Sequence, residues 1–169
     1  FTQNVRRFSQ KKGTNYQIIH AHYWLSGLVA LDLRKNWKLP ILQSFHTLGK
    51  VKNLFIPGNR EPRVRLLAEE KLVTRADHLT ASTGEEKKNL IDLYGARLDH
   101  ISVIPPGVDT RRFRPIPKSQ AKKAIGIAQN HNLLLFVGRL VPLKGLETLL
   151  RAIALLKASS GKAFSLEKG

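Results

Sequence analysis

The stretch YQIIHAHYWLSGLVALDLRKNW, residues 16–37, changes its hydrophobic period partway along. Residues 16–22 are a short apolar run with paired isoleucines, which reads as a strand. LSGLVALDLRKNW repeats its apolar residues at helical spacing. The same alternation recurs outward along the chain. LPILQSFH (39–46), HLTAS (78–82), ISVIPP (101–106) and LLLFVG (133–138) read as further strands. Most are near-continuously apolar, the pattern of strands buried on both faces of a parallel sheet. Between them, RVRLLAEEKLVTRA sets Leu66, Leu67, Leu72 and Val73 on one side with charges opposite. STGEEKKNLIDLYG opens with Ser82 and Thr83, followed three residues later by Glu85 and Glu86, a capping-box pattern, and closes on Gly95. GLETLLRAIALLK is amphipathic. Strand, helix, strand, helix at this spacing defines an α/β fold built on a doubly wound parallel sheet.

One segment breaks the pattern. IPPGVDTRRFRPIP (104–117) holds four prolines and a glycine in fourteen residues. It suits neither a helix interior nor a central strand, and reads as a crossover between domains. The expected organisation is the later part of one domain over 1–106, a linker over 107–117, and the start of a second domain over 118–169, which opens with the short helix KSQAKKAIGI.

Composition narrows the function classes. With 42% hydrophobic residues in 169, the chain can bury a real core. No apolar run approaches the ~18 residues of a membrane span. The absence of cysteine excludes disulfides and thiolate metal sites and suits a cytoplasmic location. The net charge of +17, from 29 basic and 12 acidic residues, favours anionic partners. Two alternatives to an enzyme follow from it: a basic nucleic-acid-binding protein, or a membrane-surface α/β protein. The first lacks an RNP motif, a KH loop or a zinc finger, so no nucleic acid is expected. The second has thin support, because the helix after Gly145 carries only Arg151 and Lys157 as cations. The basic surface still fits peripheral contact with an anionic membrane, at its inner surface.

In open parallel sheets, ligands bind beyond the carboxyl ends of the strands. Three clusters fall there. HAHYWLSG holds His20, His22, Tyr23 and Trp24 before a helix. Two histidines at i and i+2 with no third ligand nearby are a poor metal site, and no metal is expected. Tyr23 is the polar contact of that cluster. SFHTLGKVKN places His46 and Thr47 at a strand end, with Lys50 and Lys52 beyond; a histidine there suits acid, base or polar binding. VGRLVPLKG puts Arg139 and Lys144 between Gly138 and Gly145, just before a helix. Two cations at a helix N-terminus suit a diphosphate, and the glycines allow close approach. This is not a Walker P-loop, whose spacing differs. The Glu69–Glu70 pair points about 100° apart on a helix and reads as a solvated or capping face.

The ordered motifs IIHAHYWLSG, FHTLGKVKN, EKLVTRADHLTAST, ISVIPPGVDTRRFRP and LLFVGRLVPLKGLETLLRA resemble those of GT-B glycosyltransferases of family GT4. HYWLSG and HTLGKVKN are similar to the branch holding inositol-phosphate glycosyltransferases and sucrose-phosphate synthases. The resemblance implies two Rossmann-like domains, both incomplete in this chain, facing a cleft. It implies a retaining hexosyl transfer from a nucleotide-sugar donor, commonly a UDP-sugar, with no cofactor and no essential metal. The acceptor would be a sugar, a sugar or inositol phosphate, or a lipid. On that pattern Gly138, Arg139 and Lys144 bind the donor diphosphate, and His46 acts with Arg139 and Lys144 near the transferred sugar. Tyr23 and Thr47 contact the acceptor, and Lys50, Lys52 and Arg65 grip its phosphate. The family's N-terminal glycine-rich loop and its later E-x7-E motif do not occur in this sequence. The chain therefore reads as the middle of a longer enzyme, inactive alone.

Overall fold

A computed structural model describes residues 1–55, 58 and 60–159. The chain divides into two compact units, Phe1–Val108 and Asp109–Gly169, and the break falls inside the proline-rich segment.

The first unit contains a four-stranded parallel sheet in the order β1-β2-β3-β4. Its strands are β1 (Ile19–His22), β2 (Ile41–Ser44), β3 (His78–Ala81) and β4 (Ile101–Val103). Ile19 pairs with Ile41, Leu42 with His78 and Leu79 with Ile101. The crossovers run through α2 (Tyr23–Trp37), α3 (Gly49–Phe55) with α4 (Arg63–Arg75), and α5 (Gly84–Tyr94). Right-handed crossovers between successive neighbours bring these helices to one face of the sheet. There Ala21, Ile41, Leu79, Ala81 and Ile101 pack with Ala30 of α2, Leu72 of α4 and Leu90 of α5.

The strand patterns therefore need correcting. Apolar continuity implied burial on both faces. The helix-covered face is buried, but the alternate positions His20, Leu42, His78, Thr80 and Ser102 are half-buried or exposed. The polar residues at every second position already carried that asymmetry.

Local chemistry accounts for the ends of α5. Thr83 is the N-cap and accepts from the Glu86 amide, while the Glu86 carboxylate accepts from the Ser82 amide. Gly95 closes the helix at φ +68, a left-handed conformation that glycine adopts without strain. Helix α1 (Thr2–Lys12) was not read from the sequence: it is largely polar, with only Val5 and Phe8 apolar, and buries no residue. Arg6 ties it to Asp32 of α2.

Helix α4 departs most from its expected face. Leu67 is 53% exposed, whereas Arg65, Ala68, Glu69 and Leu72 are buried. The buried residues keep helical spacing, so the periodicity was sound and only its polarity misled. Glu69 is not solvated.

In the second unit, α6 (Lys118–Ala124) lies beyond the proline-rich segment. A 3₁₀ turn, Pro142–Lys144, leads through Gly145 to α7 (Leu146–Ser159). The strand expected at 133–138 does not form. A strand needs a hydrogen-bonded neighbour, and none lies beside it among the described residues, so Leu135 and Val137 are 73% and 84% exposed. The second strand expected around KAFSLEKG lies outside the described residues.

Candidate functional site

The carboxyl ends of β1 and β2 stand side by side, with His22 opposite Ser44. The chain leaves both ends through strained residues. Tyr23 has φ +72 and His46 φ +62, left-handed conformations that cost a non-glycine residue of order 1 kcal/mol. At Tyr23 the strain turns β1 directly into α2 with no connecting loop. The buried Gln43 side chain supports that turn from below, donating to the Tyr23 and Ser44 carbonyls.

Three imidazoles gather above these turns. His22 Nδ1 lies 2.8 Å from His46 Nε2, and the two rings are nearly parallel, 13° apart, with centroids 5.1 Å apart. His20 packs on His22 at 4.1 Å and bonds Ser44 Oγ through Nε2 at 2.9 Å. Ser44 in turn bonds Thr80. Burial, followed by the charges of His22 and His46, lowers the His20 pKa below 6.5. Among the described residues no three His, Asp or Glu side chains form a group able to hold a metal ion.

Beneath the turn after β2 lies a buried ionic network. The Arg65 guanidinium donates from Nε to Glu69 (2.7 Å), from Nη1 to Glu61 (2.8 Å), and from Nη2 to the carbonyl and hydroxyl of Thr47 (2.9 and 3.0 Å). The other Glu69 oxygen accepts from the Gly49 amide at 2.9 Å and the Tyr94 hydroxyl at 2.5 Å. Burial alone would lower the Arg65 pKa, but its bonds to Glu69 and Glu61 outweigh this and raise it. For Glu61, burial is likewise overcome by Lys52 and Arg65, and its pKa falls. Tyr94 titrates above its usual range, from burial and then from its bond to Glu69. Gly49 is required by close approach: an added Cβ would sit 2.8 Å from Leu66 and 3.1 Å from Glu69.

The expected site residues thus separate into two sets. Tyr23, His46 and Thr47 come together at the strand ends, with His46 and Thr47 exposed and Arg65 lying 5.1 Å over the Tyr23 ring. Arg65, Lys50 and Lys52, read above as phosphate grips, are each paired with protein groups. Arg65 is 2% exposed and committed to three partners. Lys50 Nζ is held by the Leu93 carbonyl and Glu70. Lys52 is held by Glu61. They fasten the 47–49 turn to α4 and α5. Glu61, Glu69, Tyr94 and His22 were missed as site residues. One signal for the acids was present: glutamates lie four residues before and four after Arg65, the spacing of helical ion pairs.

In the second unit, Arg139 and Lys144 are exposed and make no side-chain hydrogen bond or ion pair among the described residues. Gly138 lies in the same turn; a Cβ there would meet Phe136 at 3.3 Å and the Lys144 stem at 3.7 Å. Gly145, at φ +67, ends the 3₁₀ turn immediately before α7.

The fold is that of GT-B glycosyltransferases. Sucrose-phosphate synthase from Thermosynechococcus elongatus superposes with a TM-score of 0.81 at 28% identity, over 92% of this chain and 38% of that one. Anabaena Alr3699/HepE, solved in complex with UDP-glucose, shares the fold with a TM-score of 0.68 at 20% identity, over 91% of this chain and 40% of that one. Residues 1–112 match the family described as Glycosyltransferase Family 4, and the chain belongs to that family. It is 42% identical over 156 residues to D-inositol 3-phosphate glycosyltransferase of Geodermatophilus obscurus, covering 91% of this chain and 35% of that protein. It is 46% identical over 145 residues to D-inositol 3-phosphate glycosyltransferase 2 of Catenulispora acidiphila, covering 85% and 34%. The chain spans about a third of the length of these relatives.

Proposed function

We propose that the protein is a retaining glycosyltransferase that moves a sugar from a UDP-sugar to a phosphorylated sugar or inositol acceptor. The observation that carries this reading is the turn 138–145. It offers two exposed cations, without an ion-pair partner among the described residues, beside the N-terminus of a fourteen-residue helix in a chain of Glycosyltransferase Family 4. Arg139 and Lys144 would hold the donor diphosphate and neutralise the charge that grows on it as the sugar departs. The acceptor chemistry is supported by the relatives, which are named for an inositol phosphate acceptor, and by the half-buried Tyr23 beside the exposed His46 and Thr47. The Tyr23 and Thr47 side chains, both beside Arg65, would contact the acceptor phosphate.

The test is calorimetric titration of UDP into the protein and into the Arg139→Ala, Lys144→Ala double variant. Two charge-assisted contacts at about 1.5 kcal/mol each predict a loss of affinity of at least about 100-fold. Equal affinity in the two proteins removes the donor-site assignment. In the transfer reaction, the coupling constant of the product's anomeric proton reads whether configuration is retained.

A further inference from the structure

Resting on the glycosyltransferase reading, we propose that His22 is a positioning residue that engages Nε2 of His46 and thereby leaves Nδ1 as the nitrogen His46 presents to substrate.

The geometry of the pair carries the argument. At 2.8 Å, His22 Nδ1 and His46 Nε2 hold one proton between them. Two lone pairs at that distance repel, and so do two N–H groups. The proton state of one ring therefore dictates that of the other, so fixing one ring fixes the tautomer of its partner. Among the described residues His46 Nδ1 has no hydrogen-bond partner, so it is the nitrogen left for a substrate hydroxyl.

His22 is itself held in place. Its ring packs on His20, and His20 is anchored through Ser44 to Thr80, a line that crosses β1, β2 and β3. The lowered pKa of His20 favours its own neutral ring. The backbone supplies a second observation. The two left-handed residues outside glycine at these strand ends are Tyr23, directly after His22, and His46 itself. Strain is thus stored on both sides of one hydrogen bond, which is where functional constraint accumulates. Stabilising the core does not explain the pair, because His22 and His46 are both exposed.

The experiment is long-range ¹H–¹⁵N correlation of histidine-labelled protein near pH 8, where imidazoles are neutral. In the wild type, His46 should show one protonated and one unprotonated nitrogen, widely separated. His22→Phe keeps a ring on His20 but removes the nitrogen, and the two His46 signals should draw together as the tautomers average. His22→Asn places an amide where Nδ1 stood and should restore the separation. In sugar transfer, His22→Phe should lower kcat about tenfold with the donor KM unchanged, and His22→Asn should recover most of the loss. Averaged His46 nitrogens in the wild type, the same nitrogen pattern in wild type and His22→Phe, or an unaltered kcat in His22→Phe overturns the proposal. The nitrogen readout needs no substrate, so it decides the pairing even where UDP titration of the Arg139, Lys144 variant refutes the donor site.

Discussion

Removing the Glu69 carboxylate is the most searching perturbation of the first unit. Glu69 is fully buried and meets three donors: Arg65 Nε, the Gly49 amide and the Tyr94 hydroxyl. Glu69→Ala leaves a guanidinium that is 2% exposed with only Glu61 and Thr47 as partners. Breaking a buried ion pair from one side costs about 3–5 kcal/mol. Glu61 still neutralises Arg65 in part, which argues for the lower end. The orphaned Gly49 amide adds its own desolvation cost, of order 1 kcal/mol or more. We therefore expect about 4 kcal/mol, read as a fall of about 2.7 M in the urea midpoint at a slope near 1.5 kcal/mol/M. Glu69→Gln keeps an acceptor for the Gly49 amide but loses the charge, and should fall between Glu69→Ala and the wild type. A midpoint shift under about 0.5 M for Glu69→Ala, with an unchanged slope, would show that the network is not energetically buried. The role assigned to Arg65 as the clamp of the 47–49 turn would fall with it.

Two further outcomes follow from the same structure. Gly27→Ala should destabilise by about 1–3 kcal/mol, since its Cβ would run into the Gln43 amide and, at 2.5 Å, the Leu72 side chain. Gly84→Ala, with nothing within 4 Å, should be neutral or stabilising, and equal midpoints for the two variants would refute this reading of the packing. The pKa of His20 is lowered, so the folded state binds fewer protons than the unfolded state just below pH 6.5. Stability should therefore decline as pH falls through that window, and the decline should be smaller in His20→Gln. Urea midpoints at pH 7.5 and 5.5 measure it, and identical pH dependence in the two proteins would exclude His20 as its source.

The order of elements could be read from the chain because it rests on local rules. Apolar period, capping at Thr83 and a glycine stop at Gly95 act within a few residues, and each stands in the structure where the sequence pointed. The exposed half of the site was legible for the same reason: His46, Thr47 and Tyr23 follow strand ends, and parallel sheets place ligands there. What a side chain touches across the fold was not legible. Glu69 and Arg65 looked like surface charges because a helical wheel places residues on faces without saying which face meets a neighbour. Here the turn after β2 and Tyr94 of α5 supply enough partners to bury both. LLLFVG had every local mark of a strand, yet strand formation depends on a neighbour rather than on propensity. His22 was visible as half of a His-x-His motif. Its bond to His46, twenty-four residues along the chain, exists only because β1 and β2 are adjacent in the sheet. Sequence alone thus determined the fold class, the family and which residues stand at the strand ends. Tertiary structure decided which charges are spent on holding the protein together and which remain for a ligand, because that choice depends on distances between segments far apart in sequence.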